Sequence, residues 1–237
     1  MTAFVLIHGA YQGGWIWGPV ATRLRAESHV VHAPSLDGCG ERAEQLRTGI
    51  TTESQADEIA KLLFREDLTD VVPVGTSSGG MVMAKIAELE WERVARLVFV
   101  DALALMYGEK IRDIVKGPGP INTDVATGRS RADTLPALQA SLPPETAAWA
   151  AERFGLHPIA AFTQPVVLES FWEQPWDASV IWCRQAESPG EAAPAPLCRG
   201  TRCTLARARH RALPDAQRAR RIGSSHRGEL KRGGAKP

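Results

Sequence analysis

Several features are missing from this chain, and each absence removes a class of function. No run of its 237 residues is long and apolar enough to cross a membrane. Its opening stretch, Met1 to Gly9, has no basic segment and no cleavage site, so no signal peptide is expected. Cysteine is scarce. Cys39, Cys183, Cys198 and Cys203 are scattered and form no C-x-x-C pair, so a cytoplasmic protein with free thiols is the expectation. No internal repeat is present. Tyrosine occurs twice in the whole chain, and residues 199–237 contain no aromatic side chain at all. A segment without aromatics offers no platform on which nucleic-acid bases stack.

What is present suits one α/β domain. Hydrophobic residues make up 44% of the chain, enough for a core, and the formal net charge is only +1. That near-neutrality hides a split. Of the 28 Lys and Arg, 12 fall within residues 199–237, a stretch that holds only 2 of the 27 acids. A mildly acidic body therefore carries a basic tail. Such a tail can serve as an arm for an acidic partner, although here nucleic acid is not the expected partner.

Apolar periodicity gives the order of elements. Phe4–Ile7, His29–Ala33, Val71–Val74 and Leu97–Val100 read as short buried strands. Trp15–Arg25, Thr52–Phe64 and Ser78–Glu90 read as helices between them. Strands alternating with helices imply a mostly parallel sheet covered on both faces. The pattern breaks after Tyr107. Residues 108–175 read as a helical cap insertion, 176–192 as a return to the core through Val180–Cys183, and 193–237 as a basic tail without a packed strand or helix. Residues 1–107 are then the core.

One motif carries chemistry. Gly75-Thr76-Ser77-Ser78-Gly79 fits G-x-S-x-G and lies between an expected strand and an expected helix. A sharp turn there lifts a serine hydroxyl above the sheet edge, with a helix N-terminus beneath it that favours developing negative charge. A Gly/Ser-rich turn without chemistry is the alternative.

These residues carry a family resemblance. Phe4-Val5-Leu6-Ile7-His8-Gly9-Ala10 followed by Gly13-Gly14-Trp15-Ile16-Trp17 resembles the opening of the methylesterase and hydroxynitrile-lyase branch of the α/β-hydrolases. Gly75–Met81 resembles its elbow and Leu97–Ala102 its next strand. The resemblance implies an α/β-hydrolase fold and a cofactor-independent enzyme without a metal. Ser77 would be the nucleophile, and the backbone N–H groups of Ala10 and Ser78 the oxyanion hole. The implied partner is a small ester-like molecule. Phe154, Phe162, Phe171 and Trp172 in the cap suggest that it is apolar, with packing of the cap as their other role. His8 reads as structural rather than as a base, and Trp15 and Trp17 as packing the first helix on the sheet, with pocket lining as their other role.

The chain departs from this branch at two places. The branch carries its acid after the strand matching Val180–Cys183, where this chain has Arg184-Gln185-Ala186. Asp101, at the end of the strand after the nucleophile helix, is the candidate acid, with a helix or turn cap as its other role. The branch also carries its histidine near the C-terminus, in a pattern like E-L-x-x-G-H-x-P. His157, His210 and His226 are the histidines to consider, and none sits in that pattern. Codons exist for Ala206–Arg221 that, read one nucleotide later, spell H-E-L-D-T-G-H-Y-P-M-L-S-A-P-D. A change of reading frame near Ala192 would explain both the missing motif and the Arg-, Ala- and Gly-rich tail.

Three functions follow for test: a serine esterase, a cyanohydrin-cleaving lyase, and an impaired hydrolase-fold protein whose basic tail binds an acidic partner. The lyases commonly use a pocket lysine, and no lysine here is assigned to that role.

Overall fold

The computed structural model describes residues 1–104, 108–114, 121–140, 142–183 and 202–208. Its core elements run β1 (Ala3–Ile7), α1 (Gly18–Ala26), β2 (Val30–His32), α2 (Thr52–Arg65), β3 (Val71–Ser77), α3 (Gly79–Leu89) and β4 (Leu97–Ala102). The cap follows with α4 (Ile111–Ile114), β5 (Ile121–Asn122), β6 (Ala126–Gly128), α5 (Arg131–Gln139), α6 (Pro144–Ala151), β7 (His157–Pro158) and α7 (Ile159–Thr163). The chain then returns to the core with β8 (Asp177–Cys183) and β9 (Arg202–Ala208).

Six strands form one parallel sheet in the order β2-β1-β3-β4-β8-β9. Its strands alternate apolar residues between two buried faces. Phe4, Leu6, Val72, Val74, Val98 and Val100 pack on one side with Trp17, Val20 and Leu24 of the α1 region. Val5, Ile7 and Val71 point to the other side, against Ala56, Ile59 and Leu63 of α2 and Val82 and Ile86 of α3. Period-two alternation within runs that are apolar throughout is what a sheet covered on both faces requires.

Local chemistry sets where the helices begin. At the start of α2, Thr51 Oγ1 accepts from the Ser54 N–H at 3.1 Å, and the Thr51 N–H donates to Ser54 Oγ at 2.9 Å. This reciprocal capping box satisfies two otherwise unpaired donors. Residues 14–17 form a single 3₁₀ turn before α1, with Pro19 in its first turn. The expected helix over Trp15–Arg25 is therefore two pieces, because proline is favoured where a helix begins.

Two further features differ from the sequence reading. The cap is mixed rather than purely helical: β5, β6 and β7 form a three-stranded antiparallel sheet. Strands of two or three residues are too short to show a period, so nothing in the sequence marked them. The second difference lies in the basic tail, which was expected to add no strand. Its residues Arg202–Ala208 form β9, pairing with all seven residues of β8 from Asp177↔Arg202 to Cys183↔Ala208. An exposed strand edge offers main-chain donors and acceptors to any extended segment, and pairing with them needs no apolar period. The rest of 193–237, including His210 and His226, and the proposed change of frame near Ala192 lie outside the described residues.

Candidate active site

The serine motif sits where β3 passes into α3. Ser77 ends β3 with φ 50°, a left-handed conformation that a non-glycine residue rarely adopts. The strain is held by close packing on both sides of the turn. A Cβ built on Gly79 would sit 2.4 Å from the His8 carbonyl oxygen. A Cβ built on Gly9 would sit 2.7 Å from Ser77 Cβ. Only glycine fits at either position, and the second distance places the turn after β1 directly against the half-buried serine.

That turn is fixed from within the core. His8 is fully buried, and its Nε2 accepts from the Leu36 N–H at 2.9 Å. The proton therefore sits on Nδ1, which donates to the Gly9 carbonyl at 2.7 Å. Burial pushes the His8 pKa down to about 4, so the ring is neutral. The Gly9 N–H donates to Gln12 Oε1 at 3.0 Å. In a trans peptide the N–H lies opposite the C=O, so fixing the Gly9 carbonyl also fixes the direction of the Ala10 N–H. Ser78, the residue after the serine, opens α3 as its N-cap, and its main chain lies at the positive end of the helix.

Asp101 lies on the neighbouring strand. Thr76 pairs with Val100 but Ser77 pairs with Ala102, so Asp101 is the extra residue of a bulge beside the serine. It is 3% exposed and adopts φ 48°. The Leu103 N–H donates to the Ser77 carbonyl at 2.9 Å, closing the strand end around it. Ser77, Ser78, Ala10 and Asp101 thus cluster at the carboxyl end of the sheet, where open α/β sheets bind ligands.

Of the three histidines considered as base, His157 alone lies within the described residues. It is 2% exposed, with Nδ1 3.3 Å from Cys39 Sγ, and it meets Tyr11 and Phe162 edge-on. Burial, with a smaller contribution from His8, drives its pKa down to about 3. The Cys39 thiol is pushed up to about 12, again by burial. This is a neutral pair in the seam between core and cap, not a thiolate–imidazolium nucleophile.

Residues 4–229 match the alpha/beta hydrolase family. The chain is an α/β-hydrolase. It is 35% identical over 111 residues to a carbendazim hydrolyzing esterase of Nocardioides sp. (strain SG-4G), covering 47% of this chain and 46% of that protein. It is 33% identical over 102 residues to salicylic acid-binding protein 2 of Nicotiana tabacum, covering 42% and 38%. A hydroxynitrile lyase of Arabidopsis thaliana is 30% identical over 100 residues, covering 42% and 39%. The matched stretch is thus less than half the length of each of these relatives. Among solved structures, a pyrethroid hydrolase from Sphingobium faniae JZ-2 superposes with a TM-score of 0.76 at 19% identity, covering 98% of both chains. An extracellular α/β-hydrolase from a Paenibacillus species superposes with a TM-score of 0.74 at 18% identity, covering 94% of this chain and 98% of the other.

In this α/β-hydrolase the cap aromatics mostly pack. Phe171 is fully buried, stacks on Trp176 at 5.4 Å and meets Trp172 edge-on at 5.1 Å. Trp17 and Trp15 both pack against the cluster between α1 and the sheet as expected, and Trp15 also reaches the cap, 5.1 Å from Trp149 and 5.7 Å from Phe154. The sequence reading overlooked Tyr11 and Gln12, although both lie in the turn after β1. It named Cys39 as a free thiol, as the structure has it, but not its partner His157, 118 positions away. Among the described residues no group of three His, Cys, Asp or Glu side chains is arranged to hold a metal.

Proposed function

We propose that this α/β-hydrolase cleaves an ester or related acyl bond of a small, apolar molecule, with Ser77 as nucleophile. The observation that carries the reading is the strained Ser77 at the strand-to-helix turn, with the Gly9–Ala10 turn packed against its Cβ. Ser77 attacks the acyl carbon. The Ala10 and Ser78 N–H groups receive the oxyanion, two preorganised donors that need no rearrangement as charge develops. Asp101 orients the histidine that takes the serine proton. Relatives named esterase and methylesterase support the same reaction class.

The base is the open member of this set. β9 runs parallel to β8, so it ends on the side of the sheet that carries Ser77 and Asp101. In the sequence His210 is the second residue after β9 and lies outside the described residues. The frame-shifted reading places its histidine across Ala212 and Leu213, also just beyond β9. A chain lacking both would be the impaired form, retaining only what the oxyanion donors and substrate binding supply.

A fluorophosphonate probe and short p-nitrophenyl esters test the reading together. The wild-type chain should be labelled and should turn over ester, and Ser77→Ala should lose labelling and at least about a thousandfold in rate. Equal ester turnover by the two proteins would overturn it.

A further inference from the structure

The Ala10 N–H lies between two anchors of different origin. On one side Gly9 is tied to the core through His8 and Gln12. On the other side Tyr11 is tied to the cap by three separate contacts. Its carbonyl accepts from the Gly155 N–H at 2.9 Å. Its ring stacks on Phe162 at 5.8 Å. Its ring also meets His157, in β7 of the cap, edge-on at 6.1 Å. Tyr11 also holds φ 66°, a left-handed backbone that is costly for a tyrosine and persists only when surrounding contacts enforce it.

We propose that Tyr11 is a positioning residue through which the cap sets the oxyanion turn: gripped by Gly155, Phe162 and His157, it holds Ala10 in place from the side opposite to His8. The inference rests on the esterase reading for its catalytic consequence, but its structural half stands alone. With the grip released, the left-handed residue relaxes to an ordinary backbone conformation, and the Ala10 N–H turns away from Ser77. The cap then acts as part of the catalytic frame and not only as a cover. No atom of Tyr11 needs to touch the substrate.

Two measurements on the full chain test it. One is hydrogen exchange of the Ala10 amide, and the other is the split between kcat and KM on a p-nitrophenyl ester. Tyr11→Ala should speed Ala10 exchange at least about tenfold while amides of β3 and β4 keep their protection. It should lower kcat by about 10- to 100-fold with KM within about threefold, since a misaimed oxyanion donor weakens transition-state binding more than ground-state binding. Tyr11→Phe keeps ring and carbonyl anchors and should stay within about threefold of wild type in both readouts. Phe162→Leu, which alters only the cap side, should shift exchange and kcat in the direction of Tyr11→Ala, and it keeps the test available if Tyr11→Ala fails to fold. Unchanged Ala10 exchange in both Tyr11→Ala and Phe162→Leu, or a rise in KM with kcat intact, would overturn the proposal. If the wild-type chain does not turn over ester, exchange alone decides: faster Ala10 exchange upholds the role of Tyr11 while the esterase reading fails.

Discussion

At the scale of single residues, two histidines held inside with defined partners make stability depend on pH. His8 and His157 are both buried and neutral, with pKa values near 4 and 3. In the unfolded chain each returns to about 6.5. The unfolded state therefore binds more protons below that value, and stability is full above about pH 6.5 and lost as pH falls toward the folded pKa values. Each histidine contributes about 1.4 kcal/mol of loss per pH unit across that window. Chemical denaturation at pH 7.5, 6 and 5 should show a steep decline, and His157→Gln should reduce its slope. A slope unchanged by that substitution would show that His157 is not buried in the neutral form. The site residues were legible to different degrees for physical reasons. Ser77 announces itself because the turn demands glycines on both sides of it. Asp101 was legible only as a strand-end carboxylate, and the bulge that sets it beside Ser77 depends on a register between strands that no local pattern carries. Tyr11 left no signal, because its grip comes from residues more than a hundred positions away.

At the scale of elements, the core strands and helices followed from periodicity, because both faces of the parallel sheet are buried and their apolar runs are continuous. The cap was less legible. Its strands are short, and beside the packing of Phe162, Val166 and Phe171 on Met81, Met83 and Leu103 part of its attachment to the core is polar. Glu88, at the C-terminal end of α3, accepts from the Ser170 N–H at 2.6 Å and the Phe171 N–H at 3.1 Å, and pairs with Lys85 at 2.6 Å. Lys85 also donates to the Val167 carbonyl at 2.9 Å. Burial raises the Glu88 carboxyl, but hydrogen bonds from Lys85, Ser170 and Phe171 outweigh it and hold its pKa below the ordinary value. This pin fastens the segment leading into β8 to the helix that follows the nucleophile. Glu88→Gln should therefore cost about 1–3 kcal/mol of stability, read as a lower denaturation midpoint with an unchanged m-value. Its own contribution should fade below about pH 4.5, as the carboxylate is protonated in the folded state as well as the unfolded one. No change in midpoint for Glu88→Gln would remove the pin from the account.

At the scale of the whole molecule, a well-formed hydrolase core meets a tail of different composition. Among the described residues β9 is the sixth strand of the sheet, paired along β8, in a segment that lacks the histidine motif of the branch this chain resembles. The nucleotide sequence from Ser188 onward tests the origin of the tail. Codons whose one-nucleotide shift yields H-E-L-D-T-G-H are the expected result, and codons incompatible with that reading would exclude a change of frame. The central claim concerns Ser77. Mass spectrometry of the folded wild-type chain after treatment with a fluorophosphonate should find the adduct on Ser77 and none on the Ser77→Ala variant. A folded wild-type chain with Ser77 unmodified would contradict the account and leave a hydrolase scaffold without its chemistry.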